Sequence, residues 1–216
     1  MHDPIRLAVL LSRGGSTLQN LIDRIAAGTL RAEIAIVLSN KAEAFGLTRA
    51  RQAGIPTFVV ERGAHPSRHE FSARIFALCR AAEIDLVCLA GFLQLLHIPE
   101  DFQQRVINMH PALIPAFCGK GYYGLAVHRA VLERGVKFSG CTAHFVDNEY
   151  DHGPIISQRV VPVLEDDTPE SLADRVFAAE FEAYPQAVQW FAQGRLRIEG
   201  RRVRLLSPEL LSEGKK

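Results

Sequence analysis

Apolar and polar positions fall into blocks that predict strand and helix in alternation. Ile5 to Leu11 (IRLAVLL) is an unbroken apolar run, the pattern of a strand buried on both faces. Ser12-Arg13-Gly14-Gly15-Ser16 interrupts it. Thr17 to Ala27 then carries Leu18, Leu21, Ile22 and Ile25 on one helical face, with Gly28 as C-cap. Ile34 to Leu38 and Thr57 to Val60 are further strands, separated by a helix from Phe45 to Ala53 that Gly54 closes. Ser67-Arg68-His69-Glu70 has the form of a capping box, and Phe71, Ile75, Leu78, Cys79 and Ala82 follow at helical spacing. Asp85 to Ala90 is a fourth strand, Pro99 to Arg105 a short helix, and Val106 to Met109 a fifth strand.

The second half is patterned differently. Gly124 to Arg134 reads as a helix, and Phe138 to Val146 and Ile155 to Val163 as longer strands around a polar turn. Thr168-Pro169 opens a helical stretch to about Gln193, which Pro185 is expected to kink or split. Arg195 to Leu206 alternates apolar and basic residues around Glu199-Gly200, as a small edge hairpin would, with the arginines on its wet face. The polar residues after it are expected to fray. The fold class expected is α/β, a doubly wound, mostly parallel sheet with helices on both faces. No linker or repeat interrupts the chain, so one domain over residues 1–216 is expected, with the later strands extending the first sheet.

Composition narrows the function classes. The chain has 216 residues, 25 basic and 24 acidic side chains, and a formal net charge of +1. That balance supplies no field for a phosphate polymer or an anionic bilayer, which argues against nucleic-acid and membrane partners. The four cysteines form no C-x-x-C pair, so a reducing, cytoplasmic setting is expected and no zinc site. No apolar run approaches the roughly 20 residues of a membrane span. The start lacks a basic n-region, so no signal peptide is expected.

Four places can carry chemistry. The turn Gly14-Gly15-Ser16-Thr17 is either an anion cradle at a helix N-terminus or a tight strand-to-helix turn with Ser16 as N-cap. It is neither G-x-G-x-x-G nor a phosphate loop with a lysine. Asn108 and His110 stand two apart at a strand end and point the same way, with Pro111 holding His110 extended. An amide donor beside a proton-trading imidazole suits a developing oxyanion; the bland alternative is a pair of turn residues bonding the backbone. Asp147-Asn148-Glu149-Tyr150-Asp151-His152-Gly153-Pro154 is either a solvated hairpin turn or the source of a carboxylate for a histidine elsewhere, and it lacks calcium-loop spacing. Thr142 and His144 share a strand face, where His144 is either a satisfied core residue or a support for the site. Cys118 has Lys120 nearby, which would lower its thiol pKa, but no nucleophile motif surrounds it.

Asn108-Met109-His110-Pro111-Ala112-Leu113-Ile114-Pro115 followed by Asp151-x-Gly153-Pro154 resembles the folate-dependent formyltransferases, and most closely the phosphoribosylglycinamide formyltransferase family. The resemblance runs from about Ile5 to Leu206. It takes in Ser39-Asn40-Lys41-Ala42, Ala44-Phe45-Gly46-Leu47, Leu89-Ala90-Gly91-Phe92, and Glu180 before Tyr184-Pro185. It implies a Rossmann-like formyltransferase fold. The N-terminal half would bind the nucleotide phosphate and the C-terminal half would complete the folate site. The implied reaction moves the formyl group of 10-formyltetrahydrofolate, a co-substrate, to the amine of 5′-phosphoribosylglycinamide in purine biosynthesis. Asn108, His110 and Asp151 fall on the catalytic trio. Gly15, Ser16 and Thr17 fall on the phosphate cradle and Glu180 on a ribonucleotide contact. Arg68, Leu93, Gln94, Leu95, Leu96, Asn108, Asp147, Asn148, Glu149, Tyr150 and Asp151 fall on the folate segments. The chain departs from the family's usual pattern at Thr17, at Gln94 and in the length of the Cys118 to Tyr123 segment.

The implied partners are small molecules, with a monomer or homodimer and no metal. In the implied chemistry an amine attacks a formyl carbon, Asn108 and protonated His110 stabilise the formyl oxygen, and Asp151 holds the imidazolium by opposite charge. Formyltetrahydrofolate hydrolase shares the trio but carries an added N-terminal domain that this chain would lack. Methionyl-tRNA formyltransferase calls for His-Gly-Ser after the Asn and a C-terminal tRNA-binding domain. A non-catalytic nucleotide-binding module would explain the glycine turn but leave the trio without purpose.

Overall fold

The computed structural model describes residues 3–207, so the expected fraying beyond Leu206 lies largely outside the described residues. The chain resolves into two compact units. The first runs to Asn108 and takes in Val146–Asn148; the second holds Met109–Phe145 and the chain from Glu149 onward.

The first unit is built on five parallel strands, β1 (Ile5–Leu11), β2 (Ala32–Ser39), β3 (Thr57–Val59), β4 (Leu86–Leu89) and β5 (Val106–His110), in the order β3-β2-β1-β4-β5. Leu7 pairs with Ile34 and with Leu86, which places β1 in the middle, and Leu7 to Leu11 are fully buried. Burial on both faces is why this strand is continuously apolar rather than alternating. Helix α3 (Arg68–Ala81) lays Phe71, Ile75, Phe76 and Cys79 against Ala8, Leu10, Ile36, Leu38, Val87 and Leu89. The alternate β1 residues face the side of α1 (Ser16–Ala26) and α2 (Phe45–Gln52), where a Leu11 methyl lies against Gly46. Ser67 caps α3 by accepting the Glu70 N–H, while the Glu70 carboxylate accepts the Ser67 hydroxyl at 3.2 Å.

Three expectations are corrected here. Pro99 to Arg105 is only one 3-10 turn, Glu100–Phe102, because Gln104 takes a left-handed φ of 60° that no helix continues through. Ser16 is not the N-cap of α1: Gly15 is, at φ 71°, and no side chain caps this helix start. In the second unit, Pro185 does not split its helix.

That helix, α5 (Pro169–Ala192), is continuous through Pro185. Tyr184, Pro185, Ala187 and Val188 are all buried, so burial on both sides of the proline offsets the missing hydrogen bond. Its start is as expected, with Pro169 at the first helical position and a reciprocal Thr168–Ser171 capping box. Strands β6 (Phe138–Phe145) and β7 (Ile155–Pro162) pair antiparallel, with a bulge between Ala143 and His144. The edge hairpin is β8 (Leu196–Glu199) and β9 (Arg202–Leu205), and β9 pairs with β7. Its Arg197, Arg202 and Arg204 are exposed, and Arg197 and Arg204 pair with Glu199. Helix α4 (Leu125–Arg134) and α5 contribute Val131, Leu172, Val176 and Ala183 to a core shared with Cys141 and Val161.

Candidate active site

His110 ends β5, and its side chain is only 4% exposed. The imidazole is held from two directions. Nε2–H donates to the Phe117 carbonyl at 2.8 Å, and Nδ1 faces Asp151 Oδ2 at 3.5 Å. Asp151 follows the acidic turn in a left-handed conformation, φ 51°, which an aspartate tolerates better than most side chains. Its Oδ2 also accepts the Gly119 N–H at 2.8 Å, and its Oδ1 lies 3.8 Å from His144 Nε2. His144 is buried, with Nδ1–H donating to the Phe145 carbonyl at 2.8 Å. The bulge before His144 changes the strand's alternation at this point, as bulges beside functional sites commonly do. One carboxylate thus stands between two imidazoles, with one oxygen towards each.

Thr142, fully buried, fixes the chain that leads from His110 to Phe117. Its hydroxyl donates to the Ala112 carbonyl at 2.7 Å and accepts the Ile114 N–H at 3.1 Å. Gln158 closes this network by donating to the Ile114 carbonyl at 2.9 Å and to Thr142 Oγ1 at 3.1 Å. Sequence reasoning missed Gln158. The signal was available: Gln158 is the cross-strand partner of Thr142, two polar residues facing each other on a hairpin. Phe117 and Gly119 act through backbone groups and left no side-chain signal.

His128 on α4 was also missed. It is 4% exposed, and its Nδ1 has no hydrogen-bond partner among the described residues. Burial, and then the neighbouring His110, hold its pKa below the usual histidine range, so it stays neutral. Lys120 does not lower the Cys118 thiol pKa, and the sequence offered no nucleophile motif around it. Partial burial and the Asp151 charge push its thiol pKa up, and Sγ donates to the Pro115 carbonyl at 3.2 Å. Arg201 donates to His152 Nε2 and to its carbonyl, both at 2.8 Å.

Glu180 is half-buried on α5. Desolvation pushes its carboxyl up to about 8, and burial followed by the Glu180 charge pushes the Cys141 thiol up to about 12. Of the other expected second-unit residues, Glu149 and Tyr150 are exposed.

The remaining expected residues belong to the first unit. Asn108 is half-buried on β5, opposite Leu89 of β4. Gly15, Ser16 and Thr17 form the start of α1, with Gly15 buried, Ser16 exposed and Thr17 half-buried. Gly15 packs so closely that a Cβ there would stand 2.6 Å from the Gly46 Cα. This contact explains why the turn and the start of α2 both carry glycine. Arg68 opens α3, half-buried. The segment of Leu93, Gln94, Leu95 and Leu96 is irregular, with Leu96 buried and Leu93 exposed. Just beyond it, the Ser72 hydroxyl accepts the His97 N–H and Asn148 Oδ1 accepts the Ile98 N–H, each at 2.8 Å. Asn148 therefore spends its carbonyl oxygen on the chain, while Asp147 beside it is half-buried. Among the described residues, no group of three or more His, Cys, Asp or Glu could hold a metal ion. No helix among them is long and apolar enough to cross a membrane.

Comparison with known proteins bears on this geometry. Residues 5–188 match the family described as formyl transferase. The chain is 42% identical over 212 residues to the trifunctional purine biosynthetic protein adenosine-3 of Drosophila melanogaster, covering 96% of this chain and 15% of that one. It is 39% identical over 193 residues to the chloroplastic phosphoribosylglycinamide formyltransferase of Vigna unguiculata, covering 88% and 62%. The chain thus spans less than two thirds of the length of these curated relatives. The crystal structure of glycinamide ribonucleotide transformylase 1 from Symbiobacterium toebii superposes with a TM-score of 0.89 at 46% identity, covering 94% of this chain and 95% of that one. With its strand order, its histidine–aspartate pair and a match over most of its length, the chain belongs to the formyl transferase family.

Proposed function

We propose that this chain transfers the formyl group of 10-formyltetrahydrofolate to the amine of 5′-phosphoribosylglycinamide, a step of purine biosynthesis, in the cytoplasm. The observation that carries the reading is the pair His110–Asp151 at 3.5 Å, with Asn108 two residues earlier on the same strand. In this reading the neutral amine attacks the formyl carbon. A C–N bond forms to the acceptor, and the carbonyl electrons move to the formyl oxygen. Asn108 donates its amide N–H to that oxygen. His110 Nε2–H, which the Phe117 carbonyl holds in the ligand-free protein, turns to it as well. Asp151 orients the imidazole and faces the charge it carries when it donates to the oxygen. When the tetrahedral intermediate collapses, the bond to the folate nitrogen breaks. The proton lost by the attacking amine ends on that nitrogen.

Gly15, Ser16 and Thr17 would take the ribonucleotide phosphate on backbone N–H groups at the uncapped start of α1. Glu180 would receive the same substrate. Arg68, the Leu93 to Leu96 segment and the Asp147 to Asp151 turn would receive the folate, with Asn148 supporting Ile98 rather than accepting from the ligand through its oxygen. The two compact units would act as one cooperative domain. The chemistry needs no metal. Incubating the protein with 10-formyltetrahydrofolate, with and without 5′-phosphoribosylglycinamide, and following folate absorbance tests the reading. Turnover only with the acceptor is expected. Turnover without it would make the chain a hydrolase, and none with either would remove the catalytic reading.

A further inference from the structure

Ser12 lies between two segments that the proposed function assigns to different substrates. It follows β1 and is 1% exposed. Its hydroxyl donates to Asn40 Oδ1 at 2.6 Å and accepts the Leu93 N–H at 3.1 Å, and its own N–H donates to the Gly91 carbonyl at 3.2 Å. Leu93 opens the irregular folate segment. In the other direction, Ser12 leads directly into the glycine turn. There the Arg13 carbonyl accepts the Gly46 N–H at 3.0 Å, the Gly14 carbonyl accepts Arg49 Nε–H at 3.0 Å, and Gly15 abuts Gly46. A buried hydroxyl that uses both its donor and its acceptor capacity on two separate chain segments sets their mutual position.

We infer that Ser12 is a positioning residue shared by the two substrates: it sets the folate segment, through Leu93, against the phosphate turn that it begins. This rests on the proposed function for the identity of the two segments. Neighbouring residues supply the contrast. Ser72, also 1% exposed, accepts the His97 N–H at 2.8 Å and donates to the Arg68 carbonyl at 2.8 Å, so it holds the folate segment alone. Arg49 bonds the Gly14 carbonyl, so it holds the turn alone.

The test is calorimetric binding of 5′-phosphoribosylglycinamide and of tetrahydrofolate, each measured separately, to the full chain and its Ser12→Ala, Ser72→Ala and Arg49→Ala variants. Ser12→Ala is expected to weaken both ligands by about tenfold, the scale of one buried hydrogen bond left unmade. Ser72→Ala should weaken only the folate, and Arg49→Ala only the ribonucleotide. Asn40→Ala deprives the Ser12 hydroxyl of its acceptor and should reproduce the two-ligand pattern more weakly; it decides the matter if Ser12→Ala does not fold. A Ser12→Ala protein that melts lower but binds both ligands as the wild type does, or that loses only one, overturns the inference. Wild-type protein that binds neither ligand would instead fail the proposed function, and the inference with it.

Discussion

Gly15→Ala should damage both the fold and the ribonucleotide site, whereas Gly14→Ala one residue earlier should damage neither. Gly15 sits at φ 71°, where a side chain costs roughly 1–2 kcal/mol. The new Cβ would also stand 2.6 Å from the Gly46 Cα, a backbone atom that must retreat by several tenths of an ångström. It cannot do so freely, because the Gly46 N–H is bonded to the Arg13 carbonyl at 3.0 Å. Overpacking of this kind adds roughly 1–3 kcal/mol, so the total loss should be about 2–5 kcal/mol. Gly14 has no positive φ, and a Cβ there meets nothing within 4 Å. Gly46→Ala brings a Cβ within 2.5 Å of a buried Leu11 methyl, a side-chain atom, and should fall between the two. Urea unfolding followed by fluorescence ranks the three. In the same proteins, Gly15→Ala should raise the ribonucleotide KM far more than the folate KM. Equal stability of the Gly14 and Gly15 variants would refute the close approach. Equal rises in both KM values would move the phosphate elsewhere.

Thr142→Val removes the hydroxyl but keeps the shape, leaving the buried Ile114 N–H and Ala112 carbonyl without this partner; urea unfolding should show a loss of roughly 2–4 kcal/mol, and kcat should fall because Phe117 and Gly119 lose their fixed place. Wild-type stability in that variant would remove Thr142 from the argument. Glu180→Gln should be the more thermostable protein at high pH. A carboxyl whose folded pKa is raised from 4.5 to about 8 binds its proton preferentially in the folded state, so wild-type stability falls as pH rises through that window while the Gln protein is spared. Melting temperatures that run parallel from pH 5 to 9 would contradict this. Limited proteolysis should yield no stable folded fragment ending near Ala116, and recovery of one would show that the two units fold separately.

The first unit was legible because its central strands β1 and β4 are buried on both faces: IRLAVLL begins and ends where β1 does. In the second unit the edge hairpin was legible from alternation and the helix start from Thr168-Pro169. The split expected at Pro185 did not occur because local propensity takes no account of the packing around Tyr184 and Ala187. The pairing of His110 with Asp151 rested on resemblance, since 41 positions separate them in the chain and only the β6–β7 turn returns the carboxylate. What stayed hidden is backbone and tertiary. The Phe117 carbonyl and Gly119 N–H are groups every residue has, and His128 read as one more residue of an ordinary helix. Ser12 looked like the start of a turn, and its hydroxyl gained meaning only when Leu93 and Asn40 came within reach.

The most direct test is transfer itself, read as a product. 10-Formyltetrahydrofolate labelled with ¹³C in its formyl group is mixed with 5′-phosphoribosylglycinamide and excess protein in single turnover, and label on the acceptor amine is followed by mass spectrometry. The wild type should move the label to the amine. Asn108→Ala should slow this by about 10²–10³, the scale of one oxyanion donor. Asp151→Asn should slow it as well, and the double variant should lose less than the two single losses combined, because Asn108 and the His110 that Asp151 holds act on one oxygen. Label released as formate by the wild type, or a double variant whose losses are fully additive, would contradict the account.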